Sequence, residues 1–210
     1  MTLDIVALDA TTAPAWVGLF DACSSPCFCR YWHFEGKKND WLERCAFRPE
    51  DNRDEQLALV RAGAPEARGL LALREGVAVG WMKLAPRALL PKLTRQGAYR
   101  PLDLGPDDGV WSIGCFLVRP DERHHGVARA LIDAAPRHVR GWTRQGASSP
   151  SSVAPARAIE AYPRGLAEHE DGSLRLHDEE AWVGTARLFE RCGYVRVAGE
   201  PAYPVMRKTL

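Results

Sequence analysis

The stretch VWSIGCFLVRPDERHHGVA, residues 110–128, constrains this chain more than any other. Val110–Val118 is apolar on both faces with Gly114 inside, the pattern of a central strand covered on both sides. The turn RPDE follows, and from about His125 the apolar residues Val127, Ala130, Leu131 and Ala134 recur at helical spacing. A helix start presents several backbone N–H groups without intrahelical partners, at the positive end of the helix dipole. Gly126 and Ala128 let a ligand approach that backbone closely, while Arg123 and Arg129 add positive charge. The pattern is an anion cradle, and a pyrophosphate offers enough oxygens to occupy it. The neighbouring His124 and His125 point in different directions from a helix and do not make a metal site.

The remaining pattern places this segment within one domain, since 210 residues supply one sizeable core. Residues 3–8 read as a strand and Pro14–Cys23 as a helix; residues 24–50 fit no clean period and read as an irregular segment or a short helical insertion. A helix capped by Asp51 or Asn52 runs to Gly63. Arg68–Arg74 and Val77–Leu84 flank Glu75-Gly76 as a β-hairpin. Pro136 is expected to kink or end the helix after the cradle. Residues 143–156 and 164–179 read as loops, Arg157–Tyr162 as a strand, Glu180–Cys192 as a helix, and VRVA and PVMRK as closing strands. Helices alternating with strands that also form a hairpin indicate an α/β or α+β class with a mixed sheet.

A formal net charge of +1, with arginines spread along the chain, excludes global steering to nucleic acid or an anionic membrane. No apolar run approaches the roughly 20 residues of a membrane span, and MTLDIVALDA lacks the features of a signal peptide. The expected address is the cytoplasm, with its cysteines reduced.

Arg123-His-His-Gly126-Val-Ala128, after a strand ending in Leu-Val-x-Pro, resembles the acyl-CoA-binding motif of the GNAT superfamily of N-acetyltransferases. The order of elements is similar over nearly the whole chain, and AWVGTARLFERCGY with VRV and PVMRK resembles that superfamily's closing helix and strand pair. The resemblance implies a mixed, mostly antiparallel sheet flanked by helices and splayed at the cofactor-binding strand. It implies that the backbone of Phe116, Leu117 and Val118 holds the pantetheine arm of acetyl-CoA, and that Arg123, His124, His125, Gly126, Val127, Ala128 and Arg129 surround the pyrophosphate. It further implies direct attack by an amine on the thioester in a ternary complex.

Two positions depart from that pattern. Many members carry a Glu base on the central strand, where this chain has only Ser112, and the place of the Tyr acid on the closing helix corresponds to Phe189. Glu160 and Tyr162, on the strand after the cradle helix, are the candidate substitutes for base and acid; the alternative is a water chain acting on a partly neutral amine. Two rival readings follow from the missing pair: transfer through an acyl intermediate on Cys27 or Cys29, and a catalytically silent acyl-CoA sensor.

Four cysteines, Cys23, Cys27, Cys29 and Cys45, cluster with His33 in the first quarter of the chain. They are enough soft ligands for tetrahedral zinc, although Cys-x3-Cys-x-Cys is not a standard zinc spacing. A zinc-stabilised interaction module, a redox or acyl-accepting thiol, and plain structural cysteine all remain open. The cluster falls where the resemblance puts the acceptor pocket. Cys29, Trp32, Trp41, Trp81, Trp111 and Trp182 are expected to border it, suiting a hydrophobic or cationic amine on a small molecule or peptide, unless the tryptophans simply fill the core. A homodimer is the other partner considered.

Overall fold

A computed structural model describes residues 2–146, 154–165, 167–168, 174–175 and 182–210. The elements, in chain order, are β1 (Asp4–Ala7), α1 (Ala13–Ala22), α2 (Lys38–Phe47), α3 (Pro49–Arg61), β2 (Gly69–Arg74), β3 (Val77–Pro86), α4 (Pro91–Thr94), β4 (Val110–Val118), α5 (Val127–Gly146), β5 (Ala158–Ala161), β6 (Ala167–Glu168), β7 (Leu174–Arg175), α6 (Ala186–Arg191), β8 (Val195–Ala198) and β9 (Val205–Thr209). Seven strands form one sheet in the order β1-β2-β3-β4-β5-β9-β8. Every neighbour is antiparallel except β4 and β5, so the sheet is mixed as expected. β6 and β7 pair with each other, inside a segment read as loop.

The two faces follow from strand alternation. Leu70, Ala72 and Met82 pack with Val127, Leu131, Ile132 and Phe189 under α5 and α6. Leu71 and Trp81 pack with Trp16, Leu19, Phe20 and Val60 under α1 and α3. The β2–β3 hairpin turns on Glu75 and Gly76, both left-handed at φ 52° and 81°, the geometry whose twist matches paired strands.

Several local expectations change. Residues 24–50 contain a 3-10 turn at Tyr31–His33 and the ten-residue α2. α3 starts at Pro49, whose missing N–H costs nothing in a first turn; Asn52 lies inside it, buried, and donates to the Pro26 carbonyl at 3.0 Å rather than capping. α5 begins at Val127 and passes through Pro136. One lost helical bond is outweighed by burial on both sides of the proline, at Leu131, Ile132, Ala135 and Val139. The first residues of the loop read at 143–156 therefore belong to α5, and residues 147–153 lie outside the described residues. The closing helix is shorter than its apolar pattern: α6 spans Ala186–Arg191, capped by the Thr185 hydroxyl, which accepts from the Leu188 N–H at 3.2 Å. Glu180 lies outside the described residues.

A candidate active site at the splayed strand

β4 pairs with β5 from Val110 to Ile113, and among the described residues no strand pairs with that edge beyond this point. At the same place β4 carries a bulge: Ile113 faces Leu84 and Phe116 faces Met82, so Gly114 and Cys115 together oppose Lys83 alone. The extra residue resets the pleat. Trp111, Ile113 and Phe116 share the α5 face, whereas Cys115 turns to the α1 face.

Past the bulge, Arg119 N–H donates to the Val79 carbonyl at 3.0 Å. Since N–H groups alternate sides along a strand, those of Phe116 and Val118 face the open edge. Phe116 itself packs against Phe189 of α6, with centroids 6.1 Å apart, which holds this side of the gap.

The strand leads directly into the cradle. Glu122 is gripped by Arg74 through two bonds of 3.0 and 2.9 Å, tying the turn to the end of β2. His124 and Gly126 are left-handed at φ 63° and 81°. A side chain built at Gly126 meets nothing within 4 Å, so the backbone here faces open space. Gly126 carbonyl accepts from Ala130, leaving the amides of Val127, Ala128 and Arg129 as the unpaired first turn of α5. Arg123, His124 and His125 are exposed around this turn, and Arg129 leans toward Asp133 at 3.5 Å on the outer face. The ten cofactor residues expected from the sequence thus fall in two runs, 116–118 on β4 and 123–129 at the start of α5, joined by the turn at Arg119–Glu122.

Across β4 lies a cavity of about 480 Å³ lined by Phe20, Cys27, Tyr31, Trp32, Trp41, Cys45, Phe116, Leu117 and Trp182, among others. Trp32 fixes its floor: the indole N–H donates to the Gly114 carbonyl at 3.0 Å, and a Cβ on Gly114 would lie 3.0 Å from that ring. Trp182 stands 5.5 Å from Trp32, centroid to centroid. Two tryptophans expected at this pocket are elsewhere. Trp81 is fully buried against Trp16, and its indole N–H donates to Cys29 Sγ at 3.0 Å, behind the cavity wall. Trp111 lies on the opposite face of the sheet, stacked on Trp142 of α5. Sequence position could not distinguish the faces, because the pairing of Trp111 with Pro86 rather than with a residue in phase with Trp81 is set by the β3–β4 register.

Cys29 does line the cavity, with its sulfur set against that of Cys115. Phe28 and Cys29, left-handed at φ 40° and 53°, turn Cys29 onto β4, where the bulge has turned Cys115. Cys27 and Cys45 remain free thiols of the cavity, and burial pushes the Cys45 thiol above its ordinary range. His33 does not join them; burial, then the charges of Lys83 and Arg30, push its imidazole down to about 2. Among the described residues no group of His, Cys, Asp and Glu is arranged to hold a metal ion.

Glu160 and Tyr162 are close together but do not line the cavity. Glu160 sits opposite Ser112, short of the bulge, with no exposed surface. Its carboxylate accepts from Arg207 Nε at 2.8 Å, from Arg87 Nη1 at 3.1 Å and from the Tyr162 hydroxyl at 2.7 Å. Burial, and next the charge of Glu160, raise the Tyr162 phenol above its ordinary range. This is a counter-ion cluster joining β5, β9 and the segment after β3. Its members were visible in the sequence; their shared burial was not.

The family profile described as "Acetyltransferase (GNAT) family" matches residues 34–166. No curated protein sequence matches the chain. Among solved structures it is similar to the PaiA N-acetyltransferase of Thermoplasma acidophilum in complex with coenzyme A, with 9% identity, TM-score 0.52 and all of both chains covered. It is also similar to the GNAT domain of S. lividans PAT, at 14% identity and TM-score 0.51, covering 100% of this chain and 92% of that one. A third is yncA, a putative acetyltransferase from Salmonella typhimurium with acetyl-CoA, at 15% identity and TM-score 0.51, covering 100% and 95%. At these identities the structures speak for the fold alone. The family match covers more than half of the chain, including the splayed strand and its cradle: the protein belongs to the GNAT acetyltransferase family.

Proposed function

We propose that this protein transfers the acetyl group of acetyl-CoA to the nitrogen of an amine with an apolar or aromatic body. The observation that carries the reading is the continuity of three surfaces: the open edge of β4, the bare turn at Gly126 and the aromatic cavity on the other side of the same strand. Bound acetyl-CoA supplies an activated acetyl thioester. The first amides of α5 are the donors for its pyrophosphate, and the Phe116 and Val118 N–H groups are those for its pantetheine arm. Leu117 lines the cavity, so an amine seated against Trp32, Trp41 and Trp182 meets β4 beside that arm. The ring faces suit an aromatic or apolar amine, whose desolvation they assist. With Glu160 committed to two guanidiniums, the amine's proton leaves through water and ends on the departing sulfur as the acetyl passes from S to N.

Calorimetry with acetyl-CoA tests the cofactor half. Wild type should bind, Gly126→Trp should lose about tenfold or more in affinity, and Gly126→Ala, which adds backbone strain without filling the turn, should lose far less. No binding by folded wild type, or equal binding by Gly126→Trp, overturns it. Release of CoA thiol in the presence of phenethylamine, compared with spermidine at equal concentration, tests the acceptor class. Preference for the polyamine overturns that part.

A further inference from the structure

A second cavity, of about 470 Å³, lies where the end of β1, the start of β2 and the second half of α5 meet. It is remote from the splay: Trp111, beneath it, and Leu117, at the open edge, are six strand residues apart, about 20 Å. Its walls combine apolar side chains, Leu8, Val60 and Ala64, with the face of Trp142 and with Arg68, Arg137 and His138.

Arg68 is the informative residue. Its guanidinium carbon is 5.7 Å from the Trp111 ring centroid and 5.4 Å from that of Trp142, so it rests against both indoles. Its Nη1 is buried and has no hydrogen-bond partner. A desolvated cation without a counter-ion is costly, and burial lowers the Arg68 pKa accordingly. Arg137 brings further N–H groups from α5, and its guanidinium donates to His138 Nε2 at 3.4 Å. Among the described residues, the acidic wall residue Asp9 is engaged locally: its Oδ1 accepts from the Thr11 and Thr12 amides at 2.8 and 3.0 Å.

We propose that this cavity is a binding site for a small carboxylate with an apolar or aromatic body. A carboxylate matches the planar fork of a guanidinium held against two indoles, and it supplies the charge that Arg68 lacks. The body lies against Trp142, Leu8 and Val60. The volume suits a ligand of small-metabolite size, and a bare inorganic anion would leave the apolar walls wet.

Calorimetry on the full chain with sodium benzoate, benzyl alcohol and inorganic phosphate tests the site. Benzoate should bind saturably at one per chain, with benzyl alcohol and phosphate each at least about tenfold weaker. Arg68→Met, which keeps the stem over the indoles, should lose about tenfold or more. Arg68 also packs, so a second variant is needed: Gly141→Phe fills the cavity from α5, where an added Cβ meets nothing within 4 Å, and should abolish binding with the melting curve intact. Benzoate binding equalled by benzyl alcohol or phosphate, unchanged in both variants, or displaced by CoA overturns the proposal.

Discussion

Replacing Glu160 by glutamine separates a structural role from a catalytic one. The carboxylate has no exposed surface and is shared by Arg87, 2% exposed, and Arg207, 30% exposed. Removing one partner of a buried ion pair costs about 3–5 kcal/mol, because it leaves charge buried without compensation. Two features move Glu160→Gln to the low end. Arg87 keeps the Asp107 carboxylate and the Leu104 and Gly105 carbonyls, and the amide oxygen of glutamine still accepts a bond. At about 3 kcal/mol, and about 2–4 °C per kcal/mol for a chain of this length, the melting temperature should fall by about 6–12 °C. Loss of a general base instead costs about 10²–10⁴ in rate with the fold intact. Differential scanning fluorimetry reads the first quantity; release of CoA thiol per folded protein, with an amine that turns over, reads the second. A melting point within about 1 °C of wild type together with a rate loss of more than about a hundredfold would refute the counter-ion assignment.

Two further outcomes follow from buried groups near β4. Burial, then the charge of Arg30, pushes Lys83 down to about 7 in the fold, so from there to its ordinary value of 10.5 the unfolded chain holds a proton that the folded chain lacks. Stability contributed through Lys83 should therefore rise with pH across that window, by at most about 1.36 kcal/mol per pH unit. Urea titrations at about pH 7 and about pH 9 should show a smaller rise for Lys83→Met than for wild type, and parallel profiles would remove the linkage. Gly80 faces the first residue of α5, and a Cβ there would collide with Val127 Cγ1. Gly80→Ala should displace the helix start and weaken acetyl-CoA binding by about tenfold, whereas an unchanged affinity would show that the cradle does not depend on this contact.

The central strand, the cradle and the hairpin were legible in the sequence because each rests on local rules. Val110–Val118 is apolar on both faces, Gly126 stands where a helix opens behind an exposed turn, and Glu75-Gly76 accepts the left-handed angles of a tight connection. The tryptophans and cysteines were not legible in the same way. Trp81 and Trp111 flank the site in sequence, yet one is sealed in the α1 face and the other stacks under α5. The register decides that difference: Trp111 pairs with Pro86, an odd number of residues from Trp81 along β3, so the two rings leave opposite faces. Cys29 and Cys115, 86 residues apart, meet because a left-handed turn and the bulge at Gly114–Cys115 aim them at each other. Glu160 reads as a surface charge or a base until Arg87 and Arg207 arrive from other parts of the chain. Sequence periodicity determined which backbone presents unpaired amides, since a helix start exposes them whatever surrounds it. Only the tertiary structure decided which side chains are free to act, because burial and charge pairing depend on neighbours that distant segments supply.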